Sequence, residues 1–554
     1  MLTTSSMTLA ERFFVLAGII ALAGSVEAAP PAPPAPAAAE RPAAEAFFNV
    51  HEYRVLGNST LSNRDIETVL YPLLGDHKSL ADVETARTAL EKAYHDRGFA
   101  TVFVDIPEQD VSDQIVRLKV TEGRLHEVHI SGARYFSERK ILAAVPAAAA
   151  GTVPNVPVLQ NQLSAVNVTT ADRSVVPILK AGPFPGTVDL ALKVDDHLPF
   201  HGSVELNNQY TPYTKPLRAT VALNYSNLFN ELDNVSLQYQ SSPQDFNQVK
   251  VFAANYAWGA LSSGLRPSIY FIDSNSNVPA ISTLGVLGKG QIYGSKFSFP
   301  LTDAPGMPQS LTFGADYKHF LQSVTTASQT TGNVSDANTP ISYVNLSLAY
   351  SGAWSSDLLQ AALGTTANFG PRGPNDPDSF SNKRFKGNSN YFYLKVDGSL
   401  SIRLPREFQL LMRADGQFAV EPLITNEDFS ITGANAVRGY LEAESLTDSG
   451  LFGSLQLQSP TWQIKAFPIG NLFVFYDAGH SHIIDTIPGE PGAVTLQSWG
   501  TGLNLFPGKM ITGTLTWADP LTNGPHANGA NAAANVPITR RGESRVLFLV
   551  RGAF

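Results

Sequence analysis

Residues 200–554 are written as about sixteen runs of roughly ten residues, alternating apolar and polar and separated by Gly, Pro, Asn, Asp or Ser. In the run at 217–226, Leu217, Ala219, Val221, Leu223 and Tyr225 share one face of a strand, and Arg218, Thr220, Asn224 and Ser226 share the other. Val235, Leu237 and Tyr239 repeat the pattern, as do Val344, Leu346, Leu348 and Tyr350, and later Phe408, Leu410 and Met412. A soluble sandwich alternates in the same way. The connections discriminate better. Several that follow even-numbered runs are short (229–232, 353–354, 405 and 507), whereas the longest (324–339, 370–386, 423–449 and 519–541) all follow odd-numbered runs. An even number of strands, with short turns at one rim and long loops at the other, is the arrangement of a bacterial outer-membrane barrel. The last run fits it, since Val546, Phe548, Val550 and Phe554 alternate. The expected fold is β-rich: a transmembrane antiparallel β-barrel of about sixteen strands over 197–554, with the preceding residues on the short-turn side.

The rest of the composition narrows the function classes. The net charge of −9 and the absence of any Lys/Arg block argue against nucleic acid as a partner. With no cysteine, disulfides, thiolate metal sites and cysteine nucleophiles are all excluded. The sequence has no phosphate-binding Gly-Lys-Ser/Thr loop and no His-Glu-x-x-His pair, and His480, His482 and His526 form no ligand spacing. No catalytic residue, metal or cofactor is expected. At the start, Arg12 precedes an apolar run over 13–23 and the small-residue site Val26-Glu27-Ala28, so 1–28 reads as a cleaved secretory signal. The apolar run is about half the length a membrane-spanning helix needs. Residues 29–46 are largely Pro and Ala, a linker that cannot hold a long helix.

Between 47 and 196 the sequence repeats at a period of about 75 residues. Val55-Leu56-Gly57-Asn58 recurs as Ile130-Ser131-Gly132-Ala133, and Leu118-Lys119-Val120 as Leu192-Lys193-Val194. In the first unit Ser62 with Asp65 and Ser79 with Asp82 are capping signatures for two helices. The second helix carries Leu80, Val83, Ala86, Leu90 and Ala93 on one face, and strands at 101–106 and 115–120 follow. Each unit therefore reads β-α-α-β-β, spanning 47–123 and 124–196.

That order, with a glycine after the first strand, resembles POTRA domains, the periplasmic modules of outer-membrane transport and assembly proteins. The pieces Tyr94-His95-Asp96-Arg97-Gly98-Phe99 and Val120-Thr121-Glu122-Gly123 are similar to the first such domain of haemolysin-type secretion transporters. Two further motifs extend the resemblance. Val437-Arg438-Gly439-Tyr440 lies in the long polar loop 423–449 between the eleventh and twelfth runs, and Phe475-Tyr476-Asp477-Ala478-Gly479 lies on the thirteenth. Alternation puts Phe473, Phe475, Asp477 and Gly479 on one face, which must be the lumen, because a charge facing lipid is disfavoured. Nearly the whole mature chain thus resembles the transporter of a two-partner secretion system.

The resemblance implies that the loop arginine, Arg438, reaches into the pore and pairs with Asp477. Tyr440 and the inward phenylalanines would form an apolar collar, and Gly479 would leave space for the loop. Phe554 would serve as the insertion signal read by the barrel-assembly machinery. The implied protein is a monomer in the bacterial outer membrane, with its POTRA domains in the periplasm. It would contact outer-membrane lipid and export an unfolded exoprotein passenger, of haemolysin or adhesin type, that a free POTRA strand edge can bind. Leu441 departs from the family, whose members often carry a second basic residue there. The alternatives are an assembly and insertion factor of the same superfamily, a barrel enzyme and a diffusion porin. The count of two repeats, the lack of a usable His spacing and the presence of periplasmic repeats speak against each in turn.

Overall fold

The computed structural model describes residues 47–554 except 213, 262, 276–287, 303–305, 322, 328–333, 339, 465–466, 487–491, 507, 509 and 526–537. The expected signal sequence and linker lie outside the described residues, as does His526.

The chain forms two units, the first built mainly from the first repeat and the second from the second repeat with the barrel. In the first, Glu52–Leu56 pairs in parallel with Ile115–Glu122, which also neighbours Val102–Asp105. Helix Asn63–Leu70 begins at Ser62, whose hydroxyl accepts from the Asp65 amide and donates to its carboxylate. Helix Leu80–Asp96 buries Val83, Ala86, Leu90, Ala93 and Tyr94, the face its spacing predicts. One element departs from the expected order: Phe48–Val50 pairs with Gly75–Lys78 in a separate two-stranded sheet. The sequence Gly75-Asp76-His77-Lys78 carries no strand signal, and His77 has a positive φ of 55°.

The second repeat has the same plan, with Arg124–Ser131 and Arg173–Ala181 flanking Thr187–Asp196 and helices at Glu138–Ala143 and Val156–Val168. The repeated glycine has the same cause in both units. Gly57 and Gly132 sit at φ of 88° and 92°, and a Cβ would come within 2.4 Å of the Val120 carbonyl oxygen or 2.2 Å of that of Val194. This repeat is tied to the first strand and the first short turn of the barrel. The Asn227 amide donates to the Tyr135 carbonyl at 2.9 Å, Lys140 pairs with Glu231, and His201 Nε2 lies 2.8 Å from Asp172.

The barrel closes from Phe200–Asn207 round to Arg545–Ala553 through strictly antiparallel neighbours. Sixteen strands span it; the three-residue Trp462–Ile464 is a spur in the turn before the thirteenth. Short connections such as 227–233, 356–358 and 404–408 lie at one rim. The long connection 370–391 carries a helix, Pro377–Lys383, and 420–448 is the long polar loop. Lipid-facing side chains stay exposed, among them Val221, Leu237, Leu472, Val474 and Tyr476, while their neighbours Phe473, Phe475 and Asp477 are buried in the lumen.

Candidate functional site: a loop pinned inside the barrel

The twelfth strand, Ser449–Gln458, pairs with the thirteenth, Phe467–His482, in a register that sets Ser454 opposite Asp477 and Gln456 opposite Phe475. All four side chains therefore face the lumen side by side. Into this patch the loop inserts Arg438. Its Nε and Nη2 each donate to one Asp477 oxygen at 2.7 Å, and its backbone amide donates to Asp477 Oδ2 at 3.1 Å. Nη1 donates to Gln456 Oε1 and Nη2 to Ser454 Oγ, both at 2.9 Å. The guanidinium also stacks 3.4 Å above the Phe475 ring. Asp477 is fully buried, so its charge is balanced by this one bidentate partner. Planar fork geometry suits Arg here and would not suit Lys.

The neighbours of Arg438 hold its backbone. Val437 is fully buried against Ile431, Ala436, Tyr440, Phe452 and Leu496. A Cβ on Gly479 would come within 3.1 Å of Val437 and Phe452, so the glycine leaves the space that Val437 fills. Gly439 takes φ of 94°, which turns the chain beside Pro520. The Tyr440 hydroxyl lies 2.8 Å from the carbonyl of Thr522 and 3.1 Å from that of Gln497. The single collar expected from Tyr440 and the phenylalanines is not what forms. Tyr440 joins the Val437 cluster, whereas Phe473 and Phe475 pack with Ala518 in a separate one and lie over Gly502 and Gly500 of the next strand. The cause is register, since both rings sit opposite those two glycines.

The loop is tied elsewhere too. Glu444 accepts from the Leu441 amide and from both the amide and hydroxyl of Thr539, and the Glu442 amide donates to the Tyr210 carbonyl. Burial lifts the Glu442 carboxyl to about 7, opposed by the Ala434 amide it accepts from and by Arg218. Burial raises Glu444 as well, against its hydrogen bonds to Thr539 and Leu441. Leu441 is buried. Phe554 stands apart from the loop. Its ring covers Gly202 of the first strand, and the two residues exchange backbone hydrogen bonds of 3.0 and 3.1 Å.

Sequence reasoning missed Ser454 and Gln456, although both stand on the polar face of the strand that follows the loop. It also missed Glu427, which lies in the loop among five acidic residues of similar appearance.

Residues 48–123 match the POTRA domain, ShlB-type, and residues 308–505 match the haemolysin secretion/activation protein ShlB/FhaC/HecB. Together with the closed sixteen-strand barrel, these two matches are those of a two-partner secretion transporter. Among relatives of this transporter, the outer membrane transporter CdiB of Dickeya dadantii is 23% identical, covering 78% of this chain and 76% of that protein. The heme/hemopexin transporter protein HuxB of Haemophilus influenzae is 22% identical, covering 84% and 82%. Among solved structures, CdiB from Escherichia coli superposes with a TM-score of 0.56 at 19% identity, covering 94% of the transporter and 93% of that chain. BamA from Haemophilus ducreyi lacking POTRA domains 1–3 gives 0.57 at 12%, covering 92% and 100%. These likenesses show a shared fold.

Proposed function

We propose that this transporter sits in the bacterial outer membrane with its repeats in the periplasm, captures an unfolded exoprotein there and passes it outward through the barrel lumen. The passenger is of haemolysin or adhesin type, and extended backbone pairing at a POTRA strand edge gives the first contact. The observation that carries this reading is a loop anchored by Arg438 to the inner wall at Asp477, within a closed barrel that follows two periplasmic repeats. A diffusion pore has no use for the repeats. No chemical step is involved; the chain acts as a monomer, and the barrel-assembly machinery inserts it with Phe554 as the residue it reads.

Deletion of the gene is expected to remove one large protein from the culture medium, measured by proteomics of concentrated medium, and a plasmid copy is expected to restore it. An unchanged set of secreted proteins would overturn the reading.

A further inference from the structure

The loop has a second charged anchor. Glu427 is 3% exposed, and its carboxylate is held by three side chains of the barrel wall. Oε1 accepts from Lys318 Nζ at 2.5 Å and from the Tyr343 hydroxyl, and Oε2 accepts from the Tyr393 hydroxyl at 2.5 Å. Those donors belong to Gln309–Phe320, Ile341–Ser355 and Phe392–Arg403, the seventh, eighth and tenth strands, whereas Arg438 is held by the twelfth and thirteenth. The Glu427 carbonyl accepts from Gln417 Nε2 at 2.9 Å, which ties the backbone at the same point.

The surroundings of this anchor are apolar and aromatic. Leu423 and Ile424 of the loop join Phe320, Ile341, Tyr391 and Phe380 in one buried apolar cluster that also includes Tyr343 and Tyr393. Phe380 comes from the helix Pro377–Lys383 in the neighbouring long connection, and its ring packs edge-on to Tyr343 at 5.3 Å. The two ends of the loop are drawn together by Asp448, which accepts from the Leu423 amide at 2.5 Å and from the Ile484 amide at 2.7 Å.

A loop pinned only at Arg438 could pivot about that point. Two charged anchors on different strands fix its orientation as well as its position. Any arrangement that parts this buried pair strands a charge away from water, which is costly. We propose that Glu427 is a positioning residue for the pore loop. Its clamp by Lys318, Tyr343 and Tyr393 holds the first arm of the loop and the aromatic cluster over the lumen as a closed cap, and a passenger must open that clamp to leave. The cap's purpose rests on the export reading above, but its action as a barrier to ions does not, so the two are tested separately.

The test uses the full chain, purified and reconstituted in planar lipid bilayers in potassium chloride. Glu427→Gln keeps the shape but removes the charge paired with Lys318 and replaces one accepting oxygen with a donating NH2. It is expected to raise the time spent in the high-conductance state at least about threefold, and Lys318→Gln to do the same. Because both act on one interaction, K318Q/E427Q is expected to rise no further than either single variant. Tyr393→Phe, which removes one donor, gives a smaller rise and serves where the others fold poorly; heat-dependent gel mobility verifies folding in each. Cells carrying E427Q are expected to become sensitive to vancomycin. Wild-type conductance in folded E427Q and Y393F, or additive effects of K318Q and E427Q, would overturn the proposal. Secretion by the wild-type chain is scored apart from these readouts, so failure of the export reading would leave them standing.

Discussion

Arg438→Ala is expected to abolish passenger export while leaving a folded, inserted barrel. The substitution removes the bidentate contact to Asp477, the bonds to Gln456 and Ser454 and the stacking on Phe475 together. Asp477, fully buried in the native barrel, then loses its cation. Breaking a buried pair from one side costs about 3 to 5 kcal/mol, which shifts the docked loop by about a hundredfold to a few thousandfold. The strand ladder on either side is untouched, so heat-dependent gel mobility is expected to stay normal. Arg438→Lys keeps the charge but loses the fork and the ring contact, and is expected to fall between the two. The measurement is the passenger in the medium at matched amounts of transporter in the outer membrane. Normal export by R438A would contradict the role given to the loop.

Removal of Phe554 is expected to lower the folded barrel in the outer membrane by about tenfold or more, since a barrel with an open edge leaves backbone groups unpaired in lipid. The first and last strands share five ladder pairs, against ten between the twelfth and thirteenth. Phe554 adds two backbone hydrogen bonds to that short seam and lays its ring over Gly202, 6.1 Å from Phe200. Immunoblots of outer-membrane fractions read with and without heating test this, and wild-type amounts of the folded form would count against it.

Much of the fold was legible because its signals are periodic. Alternation in 217–226 and its counterparts, with the parity of short and long connections, carries the strand count. The repeated glycine could be read as a shared turn, and its cause appeared only when Gly57 and Gly132 were seen against the Val120 and Val194 carbonyls. The pairing of Phe48–Val50 with Gly75–Lys78 was not legible, because four polar or flexible residues form that partner strand. At the site, alternation was enough to turn Asp477 inward. The division between the Tyr440 and Phe475 clusters needed the register with Gly500 and Gly502. Glu427 was hidden for a different reason: its partners Lys318, Tyr343 and Tyr393 lie 109, 84 and 34 residues away. No local pattern separates it from the other acids of its loop.

A polar-walled barrel carries a loop that crosses its lumen, held by the charged anchors Arg438 and Glu427 and by further ties such as Glu444 to Thr539, and protein export proceeds past that loop. The most direct test of that route places a photo-reactive residue in the wall of the lumen. Ser399 faces inward on the tenth strand, and its neighbour Leu400 faces lipid. With the crosslinker at 399, illumination of secreting cells is expected to join the transporter to the protein that disappears from the medium when the gene is deleted. The same group at 400 is expected to give no such adduct. Equal or absent crosslinking at both positions, while secretion continues, would contradict passage through the lumen.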